Sequence, residues 1–205
     1  MKRLLAALLL MAALTHAEEP VSDYGREFRD LGTLDKYMAQ LQQAVQTHKN
    51  KWALDRCVWF YNNAEKIDLS YYPIRNGKLL RLWCTLAGRY PEAWDAMATV
   101  RDEREKRLRS GKGNNADFDD MSSLSRELGE EDMVLELFRF LHQEFPKQAE
   151  QFWPMIRKKV FQAKDYELAK HYVKDPAAEF TLRLQRFRSS WPEANSAPEA
   201  DRKAF

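Results

Sequence analysis

The chain has 205 residues, of which 44% are hydrophobic and 31% are charged, the balance of an ordinary globular protein. Its 33 basic residues nearly offset its 31 acidic residues, and the formal net charge is +2. So small a charge provides no global attraction to nucleic acid or to an anionic membrane, and we expect neither as a partner. Aromatic residues, at 12%, are the one excess, and in a helical protein they mostly fill the core and the contacts between helices.

Residues 1–17 predict a secretory signal peptide. The positive start MKR precedes an uninterrupted apolar run over residues 4–14, and the letters THA at 15–17 place small residues at the two positions that a signal peptidase reads. The apolar run is too short to span a bilayer, so we expect no membrane anchor. The mature chain is expected to begin near Glu18 and to be periplasmic or secreted.

Hydrophobic residues recur every three or four positions over most of the chain, which predicts an all-α fold of about eight or nine helices. The motifs Tyr71-Tyr72-Pro73 and Asn76-Gly77 predict a break and a turn after the second helix. We expect a single helical domain over residues 18–188 and a disordered tail over 189–205, which is rich in Pro, Ala, Ser and charge. The predicted helices cover residues 31–48, 52–66, 79–87, 91–109, 119–128, 133–145, 146–160, 166–173 and 176–187.

Cys57 and Cys84 are the only cysteines, and both fall on predicted helices joined by a turn that contains proline. In an oxidising compartment such a pair usually forms a disulfide. We therefore expect a Cys57–Cys84 bridge between neighbouring antiparallel helices. The alternative is a pair of buried thiols.

The densest aromatic group comprises Trp59, Phe60, Tyr61, Tyr71 and Tyr72. Successive residues of a helix point about 100° apart, so the three at 59–61 cannot all face one core. We expect at least one of them to be exposed or to meet another element. One hypothesis is a groove that grips a peptide or glycan, because exposed aromatic side chains mark interfaces. The other is that the group forms the core of the N-terminal part of the chain.

From Arg101 to Arg107 the charges alternate in sign along a predicted helix. We interpret this run as a solvated face with ion pairs four residues apart. Neutralising Arg104 and Arg107 would then have little effect on binding.

Asn115, Asp117 and Asp119 alternate as the first oxygen ligands of a calcium loop do. Asp120, however, stands where that loop requires glycine, and Arg126 stands where it requires a bidentate glutamate. Helix capping explains these acidic residues as well, with Asp119 or Asp120 as the cap of the helix that follows.

Nothing in the sequence indicates a catalytic site or a cofactor. The mature chain keeps His48, His142 and His171, no two of which share a helix spacing, so we expect no metal site. The sequence has no nucleophile elbow of the form Gly-x-Ser-x-Gly, no phosphate-binding loop and no dinucleotide fingerprint.

Three segments that open helices resemble one another, and they start at Gly88, Gly129 and Lys164. In each, a small or apolar residue lies five positions on, and a larger apolar residue lies nine positions on. The starts are 41 and 35 residues apart, and the longer gap contains the additional loop 111–117. The nine-on residues are Met97, Phe138 and Val173.

This spacing is close to the tetratricopeptide period of about 34 residues, and the chain resembles a tetratricopeptide-like solenoid from Leu79 to Val173. Pro146 also stands where that family often ends its second helix. The resemblance implies stacked antiparallel helix hairpins whose concave face binds a peptide or another protein.

These observations lead to three hypotheses. The first is an exported, non-catalytic helical-repeat protein that binds another envelope protein or peptide as an adaptor or assembly factor. The second is an immunity protein that blocks a toxin enzyme in the periplasm. The third is an envelope hydrolase whose site no motif reveals. No feature of the sequence indicates an oligomeric state.

Overall fold

A computed structural model describes residues 23–196, and every regular element in this range is helical. The predicted all-α fold is confirmed, but the described range contains eleven α-helices rather than eight or nine. They are α1 (Asp23–Leu31), α2 (Leu34–Gln46), α3 (Asn50–Ile67), α4 (Tyr72–Ile74), α5 (Leu80–Ala87), α6 (Glu92–Arg109), α7 (Asn115–Glu127), α8 (Asp132–Glu144), α9 (Pro146–Gln162), α10 (Tyr166–Lys170) and α11 (Pro176–Ser196).

The two additional helices are α1 and α4. Gly32, with φ +73°, ends α1, and Thr33 then caps α2 by accepting a hydrogen bond from the Lys36 amide at 3.4 Å. The apolar periodicity continues across this junction, which is why the pattern alone predicts one helix from residue 31.

Residues 69–79 are helical, so the turn predicted at Asn76-Gly77 is wrong. A 3-10 turn (Leu69–Tyr71) leads into α4, and a π-helical segment (Arg75–Leu79) continues directly into α5. Pro73 is tolerated because it lies in the first turn of α4, where no helical partner for its missing N–H is needed. Gly77 does not use a positive φ, the property that makes Asn-Gly a turn signal.

The chain divides into two compact units, Met1–Arg101 and Asp102–Phe205, and the boundary falls within α6. The single domain expected over residues 18–188 stays a prediction. Helix α11 extends to Ser196, into the tail that was expected to be disordered. The predicted signal peptide and residues 197–205 lie outside the described residues.

In unit 1, α2 packs against α1, α3 and α5, and α3 also packs against α5. Trp83 of α5 is fully buried, and its indole Nε1–H donates to the Ala93 carbonyl at 3.0 Å. The apolar core of this unit includes Leu41, Val45, Ala53, Phe60, Tyr61, Leu79, Trp83 and Leu86.

Cys57 and Cys84 are both thiols, so the predicted disulfide is wrong. Cys57 of α3 is fully buried and Cys84 of α5 is half-buried, and the two do not lie within disulfide distance. The redox environment of a compartment determines whether a disulfide is chemically favoured, but a bridge also requires the two Cβ atoms to lie close together. Burial raises the pKa of the Cys57 thiol well above its usual range.

In unit 2, α7, α8 and α9 pack against one another, and α10 packs against α9. The Phe118 and Phe152 rings stack at 4.7 Å near the centre of this core. The buried apolar residues are Leu108, Phe118, Met121, Val134, Leu137, Phe138, Leu141, Ala149, Phe152, Ile156, Val160, Leu168 and Ala169.

Helix α7 begins earlier than predicted because its cap is Asn114 rather than Asp119 or Asp120. The Asn114 side chain accepts from the Asp117 amide at 3.0 Å, and the Asp117 carboxylate accepts from the Asn114 amide at 3.2 Å. This reciprocal pair is a capping box, which satisfies two amide groups at once. Capping was one of the two interpretations of these acidic residues, and the cap lies at a different position from the one predicted.

Candidate binding surface

The structure places all five aromatic residues singled out in the sequence in unit 1 and turns them toward different neighbours. Phe60 and Tyr61 are fully buried, whereas Trp59, Tyr71 and Tyr72 are half-buried. The Phe60 ring lies 6.5 Å from that of Trp59 and 6.1 Å from that of Tyr71. Trp59 also contacts Phe28 of α1 at 6.0 Å between ring centroids, so it meets another element as expected.

The other two aromatic residues surround a buried arginine. The Arg75 guanidinium lies over the ring of Tyr61 at 4.9 Å and over that of Tyr72 at 4.8 Å. It also pairs with Glu65 at 2.6 Å and donates to the Tyr61 carbonyl at 3.2 Å. Phe60, Tyr61 and Arg75 are therefore parts of the interior of unit 1. The hypothesis of an aromatic binding surface stays a prediction for Trp59, Tyr71 and Tyr72.

The solvated-face interpretation of residues 101–107 is wrong for Arg101 and Arg104, each only 6% exposed. Arg104 donates from Nε to Asp120 Oδ2 at 3.0 Å and lies 3.8 Å from Asp117, and Arg107 pairs with Asp117 as well. These partners belong to α7 rather than to α6, so the alternation within α6 does not reveal them. Of the oxygen ligands that were compared with a calcium loop, Asp117 is thus paired with arginine.

Unit 2 carries an apolar groove of about 900 Å³ at the end of α9, along α10 and at the start of α11. Tyr166 is 60% exposed and Phe180 is 67% exposed, both unusual for large aromatic side chains. The groove is lined by Arg157, Lys158, Phe161, Gln162, Tyr166, Glu167, Ala169, Lys170, Val173, Pro176 and Phe180. Unit 1 has a smaller cleft of about 330 Å³, lined mainly by polar residues of α2 and by Trp52.

The charged residues of the groove are mainly basic. Arg157, Lys158 and Lys170 outnumber Glu167, which lies 3.5 Å from the Lys170 ammonium in a highly exposed pair. An exposed pair of this kind is weak, so Lys170 is readily available to another carboxylate. The groove thus combines an apolar floor with basic side chains and is suited to a ligand that has an apolar side chain near an acidic group.

Tyr166 and Phe180 lie in two of the predicted helices, 166–173 and 176–187, and the sequence did not mark either as a candidate binding residue. Their periodicity is real, but their large exposure shows that the rest of the described chain leaves them uncovered. One feature of the sequence does indicate this exposure. The predicted helix over 166–173 is short, and so short a helix cannot cover a long apolar face.

Comparison of the chain with protein-family models, with curated proteins and with solved structures found no match. Among the helices of residues 23–196, none has the length and apolar character needed to cross a membrane.

Proposed function

We propose that this chain is an exported helical-repeat protein that binds another envelope protein or peptide, as an adaptor or assembly factor, and acts without catalysis. The observation that carries the proposal is the basic-rimmed apolar groove of unit 2, with Tyr166 and Phe180 exposed along it. Large exposed aromatic residues next to polar ones mark interaction surfaces on proteins.

The local geometry supports a tetratricopeptide-like repeat. Gly129 and Lys164 both have positive φ, +74° and +56°. In both turns the following amide donates to a carbonyl five residues back, from Glu130 to Ser125 at 2.8 Å and from Asp165 to Val160 at 3.1 Å. Both helices thus end in the same Schellman turn.

Burial supports the same register. The residues five positions after the three repeat starts, Ala93, Val134 and Ala169, are all buried. Of the residues nine positions on, Met97 and Phe138 are fully buried and Val173 is half-buried. Burial at corresponding positions is what repeated helix hairpins require, and two of the three starts also share the turn, whereas Gly88 has φ −61°.

The groove also indicates the chemistry of the partner. An amphipathic helix or extended segment would place one large apolar side chain on the floor formed by Phe161, Ala169 and Val173. An acidic residue nearby would meet Lys158 or Lys170 at the rim, which contributes mainly to specificity and to the association rate.

A photo-crosslinking amino acid at position 166 is expected to form covalent adducts with one partner protein in the periplasm. Leu69 of unit 1, which is 78% exposed, provides the matched position outside the groove. Phe180→Ala should weaken binding of the identified partner at least about fivefold, which corresponds to about 1 kcal/mol, without lowering the thermal midpoint. Equal adducts at positions 166 and 69, or an unchanged affinity of Phe180→Ala, would contradict the groove as the binding surface.

Export is tested separately. Expressed in a Gram-negative bacterium, the protein is expected in the periplasmic fraction, with its first residue at or within a few positions of Glu18. Leu9→Arg interrupts the apolar run of the predicted signal and should leave an intact Met1 in the cytosol. Mass spectrometry of both fractions measures this, and an intact, cytosolic wild-type chain would refute export.

A further inference from the structure

Two histidines from different parts of unit 2 lie side by side. His142 is in the last turn of α8, and His171 directly follows α10. Their ring centroids are 4.7 Å apart, and the ring planes meet at 51°. His142 is half-buried and His171 is exposed, so that solvent reaches the pair.

The His142 ring is held in place by its neighbours. Its Nδ1 atom lies 2.7 Å from the Tyr172 hydroxyl oxygen. Tyr172 in turn stacks on Trp153 at 4.8 Å, with the ring planes within 12° of each other, and lies 5.4 Å from Phe138 in the core. The hydroxyl that orients His142 is thus fixed by aromatic packing.

We propose that His142 and His171 together bind a divalent transition-metal cation of the Ni²⁺, Cu²⁺ and Zn²⁺ class, with water in the remaining coordination positions. Imidazole is a preferred ligand of these cations. Metal-binding histidines commonly form a hydrogen bond through the second ring nitrogen, which fixes the tautomer and the orientation of the ring. In this site His142 binds through Nε2, while its Nδ1–H donates to the Tyr172 hydroxyl.

The site is an open one. No group of three or more His, Cys, Asp or Glu residues that could hold a metal occurs in the described part of the chain, so the protein supplies two ligands. Burial, and secondarily the neighbouring His171, lower the pKa of His142, which favours the neutral imidazole that a metal requires. A two-imidazole site of this kind exchanges its cation readily and binds Cu²⁺ more tightly than Ni²⁺ or Zn²⁺. The proposal is independent of the groove.

The test uses the mature protein without a histidine tag. Calorimetric titration with Ni²⁺ is expected to show one site per chain, and His142→Ala and His171→Ala should each weaken it at least about tenfold. His48→Ala removes an exposed histidine of unit 1 and serves as the matched control, with no change expected. Circular dichroism of each variant establishes that it is folded.

A second readout separates ligation from packing. The electron paramagnetic resonance spectrum of the Cu²⁺ complex should show two coordinated imidazole nitrogens in the wild type and one in either alanine variant. Tyr172→Phe keeps the aromatic stacking but removes the hydroxyl, and should weaken Ni²⁺ binding by about tenfold or more. Unchanged Ni²⁺ affinity in the double variant His142→Ala/His171→Ala, or an equal loss in His48→Ala, would overturn the proposal.

Discussion

Replacing Phe138 with alanine is expected to lower the free energy of unfolding by about 3–5 kcal/mol. Phe138 is fully buried, and its ring lies 5.4 Å from Tyr172, 6.2 Å from Trp153 and 6.4 Å from Phe118. Alanine would remove these contacts and leave a cavity that the three surrounding rings cannot fill without leaving their own positions. Urea denaturation followed by circular dichroism measures the change in unfolding free energy.

Phe187→Ala is the matched control, because it makes the same substitution at a side chain that is 58% exposed. Surface substitutions of this kind change the free energy of unfolding by about 0.5 kcal/mol or less. Equal denaturation midpoints for Phe138→Ala and the wild type would show that the face of α8 that contains Phe138 does not pack in the core.

Replacing Arg104 with methionine is expected to cost a similar amount, about 3–5 kcal/mol, for an electrostatic reason. Asp120 is only 1% exposed, and its Oδ2 atom lies 3.0 Å from Arg104 Nε. Methionine keeps much of the apolar stem of the arginine but removes the guanidinium, so the buried carboxylate loses this charged partner. Chemical denaturation measures the loss.

Two further variants distinguish the loss of charge from the loss of packing. Arg126→Met breaks an exposed pair with Glu127 and should cost about 0–1 kcal/mol. Adding Asp120→Leu to Arg104→Met should recover part of the stability, because a buried ion pair replaced on both sides by apolar groups is often tolerated. If Arg104→Met lowers the free energy of unfolding no more than Arg126→Met does, the buried Arg104–Asp120 pair does not stabilise the fold as its burial indicates.

The sequence is sufficient to predict features that depend on the periodicity of a single helix, such as which of its residues are buried. The face of α8 that contains Phe138 is buried, as the spacing of apolar residues over 133–145 predicts, since residues three and four positions apart share a face whatever the helix packs against. The repeat starts at Gly129 and Lys164 coincide with observed helix ends for a similar reason, because chain reversal after a helix requires a local backbone geometry.

What the sequence could not supply was the identity of neighbours from other helices. Arg104 belongs to a run that alternates in charge as a solvated face does, and only the position of α7 places Asp120 against it. His142 and His171 share no helix spacing, and the fold alone brings their rings together. Likewise, the exposure of Phe180 depends on the absence of a covering helix in the described part of unit 2.

Residues 69–79 illustrate a different limit, since local signals there point away from the structure. Pro73 and Asn76-Gly77 predict interruption, yet the chain stays helical by changing from 3-10 to α to π geometry. Such changes of winding place Arg75 and Leu79 inside unit 1 without a loop. Intrinsic helix propensity is a weak predictor where the burial of side chains stabilises a continuous helix.

The two thiols have a practical consequence for measuring local opening. Both lie in unit 1, and unit 2 has no cysteine, so thiol alkylation reports on unit 1 alone. Cys57 reacts only when the packing around α3 opens, because a fully buried thiol with a raised pKa offers no accessible thiolate. The labelling rate of Cys57 relative to half-buried Cys84 therefore reads out the opening equilibrium of one half of the chain, under native conditions and without an introduced probe.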